Sequence, residues 1–156
     1  MPMRFCLLIF AMALGSITLH AQQDPFVGTW KTNPAKSKAF LGPASPPQLN
    51  RIESSGSNGI KYTTERTNAQ GETSRTEFTA NFDGKTYPFK QPTEARDGVA
   101  ITQLDPYSYR VTYMCKGQPV QMNYWVVSKD GKTITTVTNG VDANGMYSRM
   151  MVLDKQ

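Results

Sequence analysis

The last third of the chain alternates apolar and polar side chains with a period of two residues. Between Tyr107 and Cys115 the odd positions carry Tyr, Tyr, Val, Tyr and Cys, and the even positions carry Ser, Arg, Thr and Met. Successive side chains of a strand point to opposite faces of its sheet, so this pattern predicts a strand with its tyrosines inside. Similar short segments follow one another from residue 49 onward, separated by turn sequences such as Asn58-Gly59 and Asp130-Gly131, which favour hairpins.

A run of hairpins with little helix predicts an all-β fold. Closing such a sheet removes its exposed edges, so we expect an antiparallel up-and-down β-barrel of about 8–10 strands. Thr32 to Gln48 interrupts the pattern with Pro34, Pro43, Pro46 and Pro47. We expect this segment to be a long irregular excursion, because proline disfavours both helix interiors and central strands.

Residues 1–21 have the layout of a secretory signal peptide. Arg4 precedes the apolar stretch Phe5 to Leu14, and small and polar residues lead to Ala21. The apolar stretch is shorter than the roughly 20 residues of a membrane-spanning helix, and Cys6 is not placed where a lipid anchor needs it. The sequence therefore predicts a cleaved leader, a single β-barrel domain over residues 22–156, and a secreted or periplasmic location.

The expected cleavage removes the only histidine and one of the two cysteines. The chain after the leader then has no histidine and a single cysteine, Cys115, so no Ser-His dyad, His-ligated zinc or Cys-x-x-Cys pair is available. We therefore expect a protein that is not an enzyme, with no catalytic residues, no metal and no cofactor. The remaining enzymatic alternative is chemistry without histidine, using Glu65, Glu77 or Tyr113.

The chain is mildly basic, with a net charge of +5 that falls by one when Arg4 leaves with the leader. The cations are spread over most of the expected strands and form no long run. This distribution argues against a nucleic-acid-binding stripe and favours weak attraction to an anionic envelope surface. The residues that we expect to make this contact are Lys31, Lys36 and Lys38. The sequence leaves the oligomeric state open.

The segment Phe26-Val27-Gly28-Thr29-Trp30-Lys31 resembles the opening strand of the calycin superfamily, which comprises the lipocalins and fatty-acid-binding proteins. The resemblance implies an up-and-down barrel that holds a small apolar ligand. The chain is also similar to a group of secreted bacterial lipocalin-like proteins, in residues 28–37, residues 127–133 and the ending Asp154-Lys155-Gln156. That second resemblance covers nearly all of the chain after the leader and implies no activity.

The chain departs from both calycin branches. Fatty-acid-binding proteins have a helix pair after the first strand, where this chain has its proline-rich excursion. Their Arg-x-Tyr carboxylate grip falls here on Met151 and Leu153, so Arg149 would have to substitute from one step earlier on the same face. Lipocalins stack an arginine near the tryptophan of the opening strand, and Arg149 over Trp30 would satisfy that pattern instead.

Two functions remain open. The first is a lumen that binds a small apolar or amphiphilic molecule. An inward arginine would favour an anionic ligand with an acidic head group. On residues 119–128 the even positions are the more apolar set, so we expect Met122 and Tyr124 to face inward. The expected lumen residues are Trp30, Tyr109, Tyr113, Met122, Tyr124, Tyr147, Arg149 and Met151. The alternative is an interaction module of the cell envelope, with a filled barrel and no small ligand.

Overall fold

The structure, a computed structural model, describes residues 24–68 and 70–156. These residues form eleven strands and no helix: β1 Gly28–Thr32, β2 Lys38–Leu41, β3 Gln48–Ser54, β4 Gly59–Thr67, β5 Thr73–Asn81, β6 Asp83–Thr93, β7 Arg96–Asp105, β8 Ser108–Cys115, β9 Gln118–Val127, β10 Thr133–Asp142 and β11 Gly145–Lys155. No helix long and apolar enough to cross a membrane occurs in these two ranges. The expected leader, residues 1–21, lies outside them.

Ten of the strands close into an antiparallel barrel, which confirms the predicted fold class. β1 and β3 to β11 pair with their neighbours in chain order, and β1 closes the ring by pairing with β11. β2 pairs with the first half of β11, on the same edge that pairs with β1 further along, and Ala39 is opposite Arg149. The proline-rich excursion is thus irregular on both sides of one short strand.

The antiparallel order defines two ends of the barrel. At the open end lie the last residue of β1, the first of β3 and the proline-containing segment 42–47 between β2 and β3. At the closed end lie residues 24–27 and the last residues of β11. β5 and β6 are in register at Phe78 and Phe89 alone, whereas the neighbouring pairs are in register along most of their length.

Aromatic side chains fill the closed half of the barrel. Tyr109 is fully buried and stacks between Phe26 and Phe82, with ring centroids 4.2 Å and 4.8 Å away. The Tyr109 hydroxyl donates a hydrogen bond to the carboxylate of Asp24, which also accepts one from the backbone N–H of Phe26 at 2.9 Å. The segment before β1 is thereby held across the closed end, and this half of the lumen contains packed core.

Trp30 belongs to the same closed-end core. It is fully buried, and its Nε1 donates a 2.8 Å hydrogen bond to the backbone oxygen of Phe26. The ammonium group of Lys155 lies over the indole, 5.1 Å from the ring centroid. Gly28 has φ +148, and a Cβ there would lie 2.7 Å from Cε of Lys155, so a glycine is needed at this position for the lysine to reach the tryptophan. The expected stacking of Arg149 on Trp30 is wrong, because Lys155 occupies that place.

Candidate functional site

The open half of the barrel contains two adjoining cavities. The main cavity has a volume of about 160 Å³ and opens beneath Ser45 and Pro46 of the segment 42–47. The side cavity, of about 230 Å³, lies towards the β5–β6 side and is lined by Thr76, Phe89 and Gln91, among others. Both cavities are lined by Tyr62, Arg66, Arg96 and Tyr113. The two cavities therefore meet at these four side chains.

Three arginines line the main cavity without a carboxylate partner. They are Arg66, Arg96 and Arg149, and no Asp or Glu lines either cavity. None of the ion pairs within 4.0 Å in the described part of the chain involves any of the three. Residues 1–23 and residue 69 contain no Asp or Glu either. The cavity is therefore a cationic compartment with no side-chain counter-charge.

Tyr147 organises two of the three arginines. The guanidinium of Arg149 lies over its ring, 4.1 Å from the centroid, and Nη2 of Arg96 donates a 3.4 Å hydrogen bond to its hydroxyl. The hydroxyl in turn donates to Oε1 of Gln121 at 2.6 Å, and Nε2 of Gln121 donates to Oδ1 of Asn123 at 2.7 Å. The buried amide of Gln121 thus accepts from the tyrosine and donates to the amide of Asn123.

The strand register explains why Tyr147 fits inside. Gly140 is directly opposite Tyr147 in the β10–β11 pair. A Cβ at Gly140 would lie 2.5 Å from the Tyr147 hydroxyl oxygen and 2.6 Å from Cζ. The missing side chain leaves the space in which the tyrosine ring lies across the neighbouring strand.

The third arginine, Arg66, has a contact of its own, and Arg149 makes a second, longer one. Nε of Arg66 donates a 2.8 Å hydrogen bond to Oε1 of Gln48, the residue opposite it on β3. Nη1 of Arg149 reaches the backbone oxygen of Pro43 at 3.5 Å. Each guanidinium carries five N–H donors, so most of the donors on these two arginines are left for a ligand.

Tyr113 is a buried neutral donor on the boundary between the cavities. Burial raises the pKa of its hydroxyl, and the neighbouring Arg96 and Arg66 lower it. The net shift is upward, so the phenol keeps its proton at neutral pH. The guanidinium of Arg96 lies 5.1 Å from the Tyr113 ring centroid, a cation–π distance.

Two buried polar atoms of the main cavity have no hydrogen-bond partner among the described residues. They are Oδ1 of Asn50 and Oγ1 of Thr136. Both residues are more than nine-tenths buried, with exposed fractions of 6% and 5%. Since a buried polar group without a partner is costly, a ligand group that reached these atoms would gain their hydrogen bonds.

The structure brings some of the expected lumen residues together and separates others. Tyr113, Arg149 and Met151 line the main cavity, and Tyr147 contacts two of its arginines. Tyr109 and Trp30 face inward but lie in the closed-end core, away from the cavity. The open question of where Arg149 points is answered, since it faces the lumen.

The expectation for β9 is wrong. Met122 and Tyr124 have exposed fractions of 39% and 40% and lie on the outer face, whereas Gln121, Asn123 and Trp125 are buried and face the cavity. The physical reason is that Gln121 accepts a hydrogen bond from Tyr147 inside the barrel and donates one to Asn123. The apolar character of the even positions therefore predicted the wrong inward face for β9.

Arg66 and Arg96 were not identified from the sequence. Arg66 has a signal, because Ile60, Tyr62, Thr64 and Arg66 share the inward face of β4 by simple alternation. No alternation in the sequence marks Arg96, because it is the first residue of β7 and lies next to a register irregularity in the β6–β7 pair.

The remaining expected residues lie outside the cavities. Lys36 forms an ion pair with Asp154 at 3.1 Å, while Lys31 and Lys38 are exposed. Glu65 and Glu77 lie on the outer side of the sheet and pair with Arg75 at 3.9 Å and 3.0 Å. No cluster of three or more potential metal ligands occurs in the described ranges.

No family model and no curated protein matches the chain. Among solved structures it is similar to the zebrafish ileal bile acid-binding protein complexed with cholic acid, with a TM-score of 0.55, 13% identity, and coverage of 85% of this chain and 99% of that one. It is also similar to a mutant of the fluorescent protein UnaG, with a TM-score of 0.52, 14% identity, and coverage of 82% and 95%. At these identities the likeness concerns the fold, which is a calycin-like barrel.

Proposed function

We propose that the protein binds a small amphiphilic anion in the main cavity. The observation that carries this proposal is the group Arg66, Arg96 and Arg149, which line one cavity in the absence of any carboxylate. Below them, on the closed side, lie the apolar side chains of Ile52, Ile134 and Leu153. A cationic upper part over an apolar floor is the complement of a molecule with an acidic head and an apolar body.

Electrostatics supports an anion. The three arginines are half-buried, and like charges repel more strongly in a partly dehydrated cavity than in water. An anionic head group would relieve this repulsion and receive charge-assisted hydrogen bonds, which are among the strongest that proteins make. Arginine suits carboxylates in particular, because its planar N–H groups match the two oxygens.

The size of the cavity favours a small ligand. Its volume of about 160 Å³ is close to that of a cavity that admits benzene, about 150 Å³. It is below the roughly 300 Å³ at which pockets for drug-sized molecules begin. A single ring or a medium-length chain therefore suits the main cavity better than a fused-ring amphiphile.

The envelope-module alternative expects a filled barrel with an apolar outer surface. The outer surface does carry exposed apolar side chains, such as Val126 and Met146 with exposed fractions of 49% and 74%. The interior, however, is filled only in its closed half, and no carboxylate pairs with the three arginines of its open half. A filled structural core gives no reason to keep three unpaired cations, so ligand binding is the stronger explanation.

Export to the periplasm or the medium is part of the proposal and is supported by the layout of residues 1–21. It is tested by recovering the protein from those fractions and reading its N-terminus. Cleavage after Ala21 would start the chain at Gln22. A chain that retains Met1 in the cell extract would contradict export.

Native mass spectrometry of the exported protein, followed by denaturing extraction, tests binding. We expect a stoichiometric small acidic adduct on the natural chain and on Arg110→Gln, which removes an exposed arginine from the outer face of β8. Arg96→Gln should lose the adduct. A mass without adduct that persists after incubation with octanoate and phenylacetate would contradict the proposal.

A further inference from the structure

The main cavity is layered along the strands that form it. On β3, Gln48 is opposite Arg66, Asn50 lies one inward position deeper, and Ile52 one deeper again. Each step is two residues, or about 7 Å along the strand. Arginine, unpartnered amide and apolar side chain thus follow one another from the open end towards the closed end.

β10 repeats the same order on the other side of β1 and β11. Thr138 is opposite Arg149, Thr136 lies one inward position deeper, and Ile134 is opposite Leu153 at the floor. The unpartnered Oγ1 of Thr136 therefore lies one step below an arginine, as Oδ1 of Asn50 does. Two strands place a buried hydrogen-bonding atom at the same depth, between the cations and the floor.

The walls of the cavity at this depth are aromatic. Tyr62 and Trp125 both line it, and their ring centroids are 5.2 Å apart. Flat side chains of this kind favour stacked or tilted contact with another ring. The closed-end core stops any longer chain here, because the fully buried Tyr109 is opposite Trp125 in the β8–β9 pair and does not line the cavity.

We infer, on the basis of the proposed function, that the ligand is a single-ring aromatic acid with one or two ring hydroxyls. Its carboxylate lies among Arg66, Arg96 and Arg149, and its ring lies against Tyr62 and Trp125. The hydroxyls meet Oδ1 of Asn50 and Oγ1 of Thr136. A phenolic hydroxyl suits both atoms, because it can donate to the amide oxygen and can accept from the threonine.

The two unpartnered atoms predict which ligands bind more tightly. Both atoms are buried and lack a hydrogen-bond partner among the described residues, so a ligand without a hydroxyl leaves them unsatisfied. Sites built to bond a ligand hydroxyl discriminate strongly against analogues that lack it. We expect 4-hydroxyphenylacetate to bind at least about tenfold more tightly than phenylacetate, and 3,4-dihydroxyphenylacetate to bind no more weakly than 4-hydroxyphenylacetate.

Isothermal titration calorimetry with these three acids and with octanoate tests the inference. An affinity that rises with the first hydroxyl supports it, whereas equal or tighter binding of phenylacetate overturns it and leaves the proposed function standing. Binding of octanoate without binding of any aromatic acid also overturns the inference alone. Failure of all four acids overturns the inference and the proposed function together.

The variant Asn50→Ala provides an internal test. The readout is the ratio of the affinities for 4-hydroxyphenylacetate and phenylacetate, which a general loss of folding would not change. We expect this ratio to fall several-fold in Asn50→Ala and to stay constant in Asn139→Ala, which alters an exposed residue of β10. A ratio that is unchanged in Asn50→Ala overturns the assigned hydroxyl contact.

Discussion

The guanidinium of Arg149 lies over the ring of Tyr147, 4.1 Å from its centroid, while Arg96 donates a hydrogen bond to the hydroxyl of the same tyrosine. One neutral side chain therefore positions two cations that would otherwise repel each other freely. The ring attracts Arg149 through its π face, and the hydroxyl accepts from Arg96. Tyr147 sets the positions of two of the three guanidinium groups that we assign to the ligand.

Gly140→Ala tests this positioning. The added Cβ would lie within 2.6 Å of Cζ and the hydroxyl oxygen of Tyr147, so the ring must move and both arginine contacts must change. We expect the affinity for octanoate to fall by about tenfold or more, as the loss of a charge-assisted contact would do. Calorimetry measures the affinity, and Asn139→Ala at the next position is the matched control. Unchanged affinity in Gly140→Ala would separate Tyr147 from ligand binding.

The observed orientation of β9, with Gln121, Asn123 and Trp125 inside, predicts that its outer residues do not contribute to the site. Met122→Thr and Tyr124→Thr should leave octanoate affinity unchanged and should alter the free energy of unfolding by no more than about 0.5 kcal/mol, as exposed substitutions usually do. Asn123→Ala, on the inner face between them, should weaken binding. The comparison uses calorimetry and urea unfolding of the three variants. Weaker binding by Met122→Thr or Tyr124→Thr, with binding by Asn123→Ala unaffected, would contradict this orientation of β9.

The barrel and part of the site could be predicted from the sequence. The alternation over Tyr107 to Cys115 indicated the inward face of β8 correctly, because most of its outer positions are polar. On β9 the alternation was ambiguous, because Trp125 and Val127 share a face with the polar Gln121 and Asn123. Only the tertiary partner Tyr147 makes burial of those amides favourable.

The cationic cavity was harder to predict. The sequence pointed to one inward arginine, Arg149, whereas Arg66 and Arg96 come from strand ends 30 residues apart in the chain. Their convergence depends on the barrel closing and on the register of the β3–β4 and β6–β7 pairs. The closed-end core was also unforeseen, since Phe26 and Asp24 precede the first strand and are held there by Tyr109.

Tyr109→Phe tests the closed end. The substitution removes the hydrogen bond to the Asp24 carboxylate, so we expect the free energy of unfolding to fall by about 2 kcal/mol, the usual range for a bond to a charged group. Octanoate affinity should not change, because Tyr109 lies below the cavity floor. Tyr107→Phe, in a less buried tyrosine two residues earlier, should cost clearly less in the same urea titration. Equal losses in the two variants would contradict a specific role for the Asp24 contact.

Acid sensitivity should arise in part from Asp154. The hydrogen bonds from Asn33 at 2.7 Å and Lys36 at 3.1 Å hold the pKa of this carboxyl below its ordinary value. A carboxyl whose pKa is lowered by folding stabilises the folded state above its unfolded pKa, about 3.9. That stabilisation is lost as the pH falls through the lower folded value.

We therefore expect the melting temperature to decline below about pH 4, and to decline less steeply in Asp154→Asn, which has no charge to lose. Differential scanning calorimetry between pH 7 and pH 2 measures this slope. Asp142→Asn, in an exposed hairpin, is the control, because no hydrogen bond from a basic side chain to Asp142 occurs in the described residues. Slopes that are identical in Asp154→Asn and the natural chain would rule out this contribution.

The central claim is that the cavity selects a negative charge, and the most direct measurement is calorimetric titration with octanoate and with octanamide. The two molecules have the same chain and nearly the same size, but only the acid carries a charge at neutral pH. Since three unpaired guanidinium groups face the ligand, we predict that octanoate binds at least about tenfold more tightly and that this advantage shrinks in Arg96→Gln but not in Arg110→Gln. Equal affinity for the acid and the amide would contradict the account.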